Sequence, residues 1–170
     1  MKLYVGVAGA SRPERGLVEQ AERLGRRLAE GGAVVVCGGG PGVMEAVCRG
    51  AQAAGGTTVG LLPGLDRAEG NAYLTVALPT GLDQGRNLLL VRSSDALVAV
   101  GGGFGTLSEI AIALRAGTPV IGLATWSLRL DSRAVDAFPV ADDPDAAADM
   151  ALEAARKRCT GEAGPPSQGS

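Results

Sequence analysis

The stretch that decides the fold is Ser94–Glu109, which reads SDALVAVGGGFGTLSE. Residues 96–100 form a short apolar run, which is typical of a parallel strand covered on both faces. The glycines that follow let the backbone turn sharply and leave its amide groups uncovered by side chains. From Thr106 onward, apolar residues recur at helical spacing, so we predict that the glycine loop leads into the N-terminus of a helix. Exposed amides and the positive end of a helix dipole form an anion site, usually for phosphate.

The same alternation of strand and helix extends along the chain in both directions. Apolar runs predict strands at residues 3–8, 33–37, 57–62, 73–78, 96–100 and 119–123. Apolar residues at helical spacing predict helices at residues 14–30, 43–54, 82–92, 106–117 and 144–158. The region 124–140 is the least regular. This alternation predicts an α/β fold, a doubly wound, Rossmann-like parallel sheet with helices on both faces.

Length and composition predict one nucleotide- or phosphate-binding domain over residues 1–160 and a disordered Gly/Pro/Ser-rich tail over 161–170. The net charge of −2 and the absence of a long basic run argue against nucleic acid as a partner. No apolar run reaches the length that spans a membrane. The three cysteines are odd in number and lack CxxC spacing, which predicts free thiols and a cytoplasmic location.

The chain contains no histidine. This excludes Ser-His-Asp and Cys-His catalysis, the common zinc sites and a histidine general base. Any chemistry would have to use carboxylates, arginines, backbone amides and water, and we predict neither a metal nor a cofactor.

Three glycine-rich loops are expected at one edge of the sheet, where the strands before them end. They span Gly9–Arg12, Gly38–Gly42 and Gly101–Gly105. Ligands of doubly wound sheets bind at this edge, near the switch in strand order, so the loops predict a pocket of nucleotide size. The third glycine of the dinucleotide fingerprint is replaced by Thr106, and the chain has no Gly-Lys pair of a Walker A loop. An ordinary NAD site and a P-loop are therefore excluded.

Two motifs together resemble the LOG ("Lonely Guy") family of phosphoribohydrolases, which are often mislabelled lysine decarboxylases. Gly38–Ala46, GGGPGVMEA, is similar to that family's GGGPGxMEA motif, and Gly102–Glu109, GGFGTLSE, to its PGGxGTxxE motif. The resemblance implies a Rossmann-like and usually dimeric protein that splits a nucleoside 5′-monophosphate into free base and ribose 5-phosphate. The wider superfamily includes molybdenum-cofactor carrier proteins, which bind a phosphate-bearing ligand without turning it over.

The resemblance also implies roles for individual residues. Glu109 matches the catalytic glutamate of the family, and Arg86 matches its catalytic arginine. The candidates for binding the phosphate or the substrate are Ser11, Gly39, Gly40, Asn87, Gly102, Gly103, Gly105 and Thr106. Three residues depart from the family pattern and favour the carrier-like branch: Gly101 replaces a proline, Asn87 a lysine and Ser108 the first acid of a Glu-Glu pair.

The candidate residues suit N-glycosidic cleavage, although structural alternatives exist for each. A carboxylate such as Glu109 stabilises the positive charge that develops on the sugar ring, and Arg86 could clamp the ligand or help the base to leave. Alternatively, Thr106–Glu109 forms a capping box at the start of a helix. Arg86 could equally be a solvated helix residue, and Ser11 a helix cap.

The sequence therefore predicts a nucleoside 5′-monophosphate phosphoribohydrolase. The alternative is a non-catalytic carrier of a phosphorylated ligand, either the molybdenum cofactor or a nucleotide. Decarboxylation of lysine through pyridoxal phosphate is excluded, because that reaction needs a Schiff-base lysine and the two lysines, Lys2 and Lys157, lie near the chain ends. A homodimer or higher homo-oligomer is expected, because helices rich in glycine and alanine allow close packing across an interface.

Overall fold

The structure, a computed structural model, describes residues 1–162, so residues 163–170 of the predicted disordered tail lie outside it. The strands are β1 (Tyr4–Gly9), β2 (Val34–Cys37), β3 (Thr57–Leu62), β4 (Val76–Pro79), β5 (Ala96–Val100), β6 (Val120–Leu123), β7 (Leu128–Leu130), β8 (Arg133–Val135) and β9 (Val140–Ala141). The α-helices are α1 (Arg15–Glu30), α2 (Val43–Ala53), α3 (Arg86–Arg92), α4 (Phe104–Ala116) and α5 (Pro144–Thr160). Single turns of 3-10 helix cover Arg67–Glu69 and Asp83–Gly85.

Seven strands form one parallel sheet in the order β4-β3-β2-β1-β5-β6-β9. The chain runs from β1 outward to β4, returns to the centre, and then runs from β5 outward to β9. The strand order therefore reverses between β1 and β5, where sheets of this kind form their ligand crevice. Strands β7 and β8 pair as a separate antiparallel ribbon. The predicted doubly wound, Rossmann-like α/β fold is confirmed.

Helices cover both faces of the sheet, and β5 is buried along its whole length. Its side chains alternate between two apolar clusters, as the pleat of a strand requires. Val98 and Val100 join the cluster formed with α1, α2 and α5. Leu97 and Ala99 join the cluster formed with α3 and α4.

Helices α1 and α2 pack against each other backbone to backbone. A Cβ atom added to Gly25 would overlap the carbonyl oxygen of Val47, and one added to Gly50 would overlap the carbonyl oxygen of Glu22. The small helix residues that we expected to serve an interface between copies therefore serve, at these two positions, a close contact within the chain.

Two helix boundaries differ from the prediction for identifiable reasons. The helix expected over 82–92 is interrupted because Asp83 has a φ of 49°, and α3 begins only at Arg86. Helix α4 begins two residues before Thr106, because Gly103 is extended (φ −177°) and caps the helix, so that Phe104 and Gly105 join its first turn.

The irregular region 124–140 contains the β7–β8 ribbon and leads into the edge strand β9. The strand expected over 73–78 forms as β4, which begins three residues later and ends one residue later than predicted. The last helix begins as expected, with the Asp143 side chain accepting hydrogen bonds from the amides of Asp145 and Ala146 at 2.8 and 2.9 Å. Within residues 1–162, none of the helices combines the length and apolar character that crossing a membrane requires.

Candidate functional site

The three glycine-rich loops lie together at the carboxyl ends of β1, β2 and β5. The amide of Val43 donates to the carbonyl of Ala10 at 3.0 Å, which ties the second loop to the first. Gly42 has a φ of 74°, and a Cβ atom there would lie 2.5 Å from the carbonyl oxygens of Ala10 and Ser11. Glycine is therefore required at this position both by its backbone conformation and by its neighbours.

Asn71 holds the second glycine loop in place from the segment before β4. Its Nδ2 donates to the carbonyls of Gly39 and Gly40 at 3.2 and 3.1 Å, and its backbone amide donates to Gly39 at 2.8 Å. The Asn71 Oδ1 accepts a hydrogen bond from the amide of Tyr73 at 3.1 Å. The role of Asn71 was not predicted from the sequence, because a Gly-Asn pair inside a polar loop signals only a turn.

The loop between β5 and α4 exposes backbone that packing does not require to be glycine. Among the described residues, a Cβ atom on Gly105 would meet nothing within 4 Å, and one on Gly103 only the Thr106 Oγ1 at 4.0 Å. A Cβ atom on Gly102 would meet the Trp126 indole at 3.7 Å, an ordinary contact. These three glycines therefore keep the start of α4 uncovered, which is the arrangement that anion binding needs.

Gly101 is different, because the fold itself requires glycine there. Its φ is 68°, a value that the proline of the LOG motif cannot adopt because its ring holds φ near −65°. A Cβ atom at this position would also overlap the Leu17 side chain. The departure from the family motif thus corresponds to a particular conformation of this loop.

Arg86 and Glu109 form a largely buried ion pair beside the second glycine loop. The Arg86 Nη1 lies 3.2 Å from the Glu109 Oε1, with side-chain exposures of 15% and 7%. The guanidinium lies against Gly38, where any Cβ atom would overlap it. Because Glu109 pairs with Arg86 and α4 is capped by Gly103, the capping-box alternative for Thr106–Glu109 is wrong.

The environment of the pair changes the proton affinity of Glu109. Burial raises the pKa of Glu109 to about 7, and the neighbouring Arg86 charge opposes that shift without cancelling it. The Arg86 Nε is buried and has no hydrogen-bond partner among residues 1–162. A carboxyl group with a pKa near neutrality can exchange a proton at physiological pH.

The remaining candidate residues lie around the same edge of the sheet. Asn87 follows Arg86 and is buried, and Thr106 is buried in the first turn of α4. Ser11 is exposed in the loop after β1. Helix α1 is capped by the backbone of Glu14 and receives no side-chain cap, so the alternative that Ser11 caps a helix is wrong.

An aromatic pair borders the β5–α4 loop, and the sequence analysis assigned it no role. The ring centroids of Phe104 and Trp126 are 6.1 Å apart with planes inclined by 33°. The Trp126 Nε1 donates to the carbonyl of Gly103 at 3.3 Å. With Gly102, Ala124 and Thr125, these residues line an open cavity of about 500 Å³. The available signal was that Trp126 is the only tryptophan of the chain.

Comparison with known proteins shows that this chain is similar to two classes of protein. The probable cytokinin riboside 5′-monophosphate phosphoribohydrolase LOGL5 of Oryza sativa subsp. japonica is 38% identical over 93 residues, which are 53% of this chain and 38% of the rice protein. The molybdenum cofactor binding protein of the phototrophic bacterium Rippkaea orientalis has a TM-score of 0.80 and 34% identity, over 88% of this chain and 95% of that chain. The molybdenum cofactor carrier protein of Chlamydomonas reinhardtii has a TM-score of 0.79 and 31% identity, over 91% and 99% of the two chains.

A family model agrees with these similarities and extends over most of the chain. Residues 2–151 match the SLOG cluster4 family, and this range includes both glycine motifs, Arg86 and Glu109. The protein therefore belongs to the SLOG cluster4 family, a LOG-like family with a branch that resembles molybdenum-cofactor carriers.

Proposed function

We propose that this protein binds a phosphate-bearing small molecule at the loop between β5 and α4 and carries it intact. The observation that supports this most directly is the free space over Gly103 and Gly105, where a Cβ atom would contact almost nothing. A side chain at either position would be compatible with the fold but would cover the amides at the start of α4. Glycine at these positions suits a ligand that approaches the backbone.

The electrostatics of the loop suit an anion. Helix α4 has 13 residues, which is long enough for a dipole, and its first turn contains no acidic residue. The carboxylate of Glu109, farther along α4, is already paired with Arg86. A phosphate on the loop would therefore meet backbone donors and the positive end of the α4 dipole.

The relatives support a phosphorylated small molecule as the ligand. The two similar structures are named for the molybdenum cofactor, and that cofactor would be cargo on this chain. A nucleotide is the other phosphorylated ligand consistent with the loop.

The free thiols of Cys37, Cys48 and Cys159 are in keeping with a reducing cytoplasm, and the cytoplasmic location stays a prediction.

The second candidate function is phosphoribohydrolysis, and the buried pair of Arg86 and Glu109 is the observation that favours it. An ionised Glu109 beside the sugar would stabilise positive charge as the N-glycosidic bond breaks, and Arg86 would hold the ligand by its fixed charge. In the protein alone, however, Glu109 is engaged with Arg86 at 3.2 Å. Catalysis would require the ligand to draw the two groups apart.

We also propose that the protein forms a homodimer through the outer surface of α3. Leu88 and Leu89 are 48% and 39% exposed there. They are neighbours on a helix whose other side is packed against α4. Adjacent exposed leucines form an apolar patch that a second copy would remove from water.

The test compares AMP, ribose 5-phosphate and adenosine. We expect AMP and ribose 5-phosphate to raise the melting temperature, because a ligand that binds only the folded state stabilises it, and adenosine to leave it unchanged. Intact AMP after prolonged incubation supports a carrier. Release of adenine that is lost in Glu109→Gln, with the melting temperature retained, supports the hydrolase. Equal effects of AMP and adenosine, or no effect of any compound at millimolar concentration, would overturn the phosphate site.

A further inference from the structure

We propose that Phe104 and Trp126 form a platform on which a planar nitrogen heterocycle of the bound ligand stacks. This inference rests on the proposed phosphate site, and it specifies the ligand class as a compound that joins a phosphate to a flat ring through a short linker.

Aromatic side chains are scarce in this protein, yet two of them meet at the glycine loop. The chain has two phenylalanines, two tyrosines and one tryptophan. Phe104 is 84% exposed even though it stands beside Trp126. Leaving a large apolar side chain in water forgoes about 1.5–3 kcal/mol of burial energy, so its packing in the fold does not explain this position.

Trp126 is held rigidly over the loop. Its indole donates to the carbonyl of Gly103 at 3.3 Å, and the hydroxyl of the neighbouring Thr125 donates to the carbonyl of Gly101. Ala124 has a φ of 48°, a left-handed conformation that alanine adopts at a cost of about 1–2 kcal/mol. The strained residue turns the chain at the end of β6, so that Trp126 returns to the glycine loop.

The platform and the anion site share the same turn of backbone. Phe104 lies between Gly103 and Gly105, the residues at the start of α4 whose Cβ positions open into free space. The cavity beside it has a volume of about 500 Å³, within the usual range for small-molecule sites. Among residues 1–162, none of those that line the cavity is ionisable: Gly102, Gly103, Phe104, Ala124, Thr125 and Trp126. An uncharged flat ring suits this surface, with the phosphate at its border.

The platform faces away from the ion pair. Phe104 and Glu109 are five residues apart on α4, which places them about 140° apart around the helix axis. A ring stacked on Phe104 therefore lies on the other side of the helix from Glu109 and Arg86. This placement keeps the bond between ring and linker away from the carboxylate, which agrees with carriage of the ligand and not with its cleavage.

The single tryptophan provides the probe for the test. We expect AMP and GMP to quench the fluorescence of Trp126, and ribose 5-phosphate to bind without quenching it. Stacking of a base on an aromatic side chain corresponds to about ten-fold in affinity. Phe104→Ala should therefore lower the affinity for AMP by about ten-fold and leave the affinity for ribose 5-phosphate unchanged. Phe104→Leu should lower the affinity for AMP similarly, because leucine keeps the apolar contact but has no ring. Leu130→Ala, at an exposed position of β7, serves as the control.

The possible failures separate the two proposals. If ribose 5-phosphate binds while Phe104→Ala weakens both ligands equally or neither, or if AMP binds without quenching, the platform is overturned and the phosphate site stands. If neither AMP nor ribose 5-phosphate binds to the wild-type protein, the phosphate site is overturned, and the platform with it.

Discussion

Arg86 and Glu109 form an ion pair, 3.2 Å from Nη1 to Oε1, that joins the two glycine motifs of the chain. Glu109 belongs to the motif that starts α4, and the Arg86 guanidinium lies against Gly38, the first residue of the other motif. The pair is joined by a single hydrogen bond and is not bidentate, since the Arg86 Nε has no partner within residues 1–162. The contact therefore leaves the guanidinium with unused hydrogen-bonding capacity next to the second glycine loop.

The first prediction concerns the pH dependence of stability. Burial raises the pKa of Glu109 from its ordinary value of 4.5 to about 7, so between these values the folded state retains a proton that the unfolded state has released. The stabilising contribution is complete below pH 4.5 and is lost as the pH rises through 7. We expect the wild-type protein to lose unfolding free energy relative to Glu109→Gln between pH 5 and 8. Urea unfolding at both pH values measures this difference, and a constant difference would contradict the prediction.

The second prediction separates the binding role of Gly105 from its effect on the helix. Gly105→Ala should stabilise the protein by about 0.5–1 kcal/mol, because alanine is the better helix former and its Cβ meets open space. The same change should weaken phosphate binding, because the methyl group would stand over the start of α4. Gly16→Ala is the matched control, since Gly16 is also the second residue of its helix and also has open space around it.

Melting temperature and calorimetric titration with ribose 5-phosphate measure the two effects on these variants. We expect both variants to be more stable than the wild type and only Gly105→Ala to bind more weakly. Unchanged affinity in Gly105→Ala would remove the main support for the phosphate site.

The third prediction concerns the contact between α1 and α2. Gly50→Ala places a Cβ atom against the carbonyl oxygen of Glu22, so the two helices must move apart. We expect a loss of about 3 kcal/mol, in the range seen when well-packed interiors are overfilled. Helix propensity alone predicts the opposite sign. Urea unfolding of Gly50→Ala alongside Gly16→Ala distinguishes the packing effect from the helix-propensity effect. A stability gain in Gly50→Ala would contradict the close packing of α1 and α2.

The fourth prediction concerns Asn71. Asn71→Ala removes two donors to the carbonyls of Gly39 and Gly40 and one acceptor for Tyr73. We expect a loss of about 2–3 kcal/mol, since each net hydrogen bond contributes about 1 kcal/mol. Hydrogen exchange of the Gly39 and Gly40 amides should accelerate in the variant. Gln84→Ala, an exposed amide, is the control, and unchanged exchange would show that other contacts hold this loop.

The sequence predicted the centre of the sheet well, because its pattern there is local. Five apolar residues followed by glycines indicate a buried strand that ends in a turn. The predicted bounds of β5 and β3 agree with the structure. The interruption at Asp83 leaves no trace in the apolar periodicity, because it arises from one backbone angle. Nor can spacing alone separate a capping box from the ion pair of Glu109, since the distinction depends on where α4 begins.

The parts of the site that the sequence missed depend on contacts between distant segments. Asn71 lies 32 residues from Gly39, and Trp126 lies 23 residues from Gly103. Each approaches its glycine loop only because parallel strands bring their carboxyl ends to one edge of the sheet. Loops that meet in this way carry no shared period or motif, so only the folded chain shows which of their polar and aromatic residues are partners.

The fifth prediction concerns assembly. If a second copy covers Leu88 and Leu89, Leu88→Arg places a charge in that interface, where an unpaired buried charge is strongly unfavourable. Sedimentation at 100 µM, a concentration on the order of those at which modest interfaces associate, should give a dimer for the wild type and a monomer for the variant. Leu130→Arg makes the same change at an exposed leucine of β7, and should leave the dimer intact. A monomeric wild type would contradict the interface, and a dimer in Leu88→Arg that dissociates in Leu130→Arg would move it to the β7–β8 ribbon. Because neither leucine contributes to the glycine loops, ribose 5-phosphate should bind both variants as it binds the wild type.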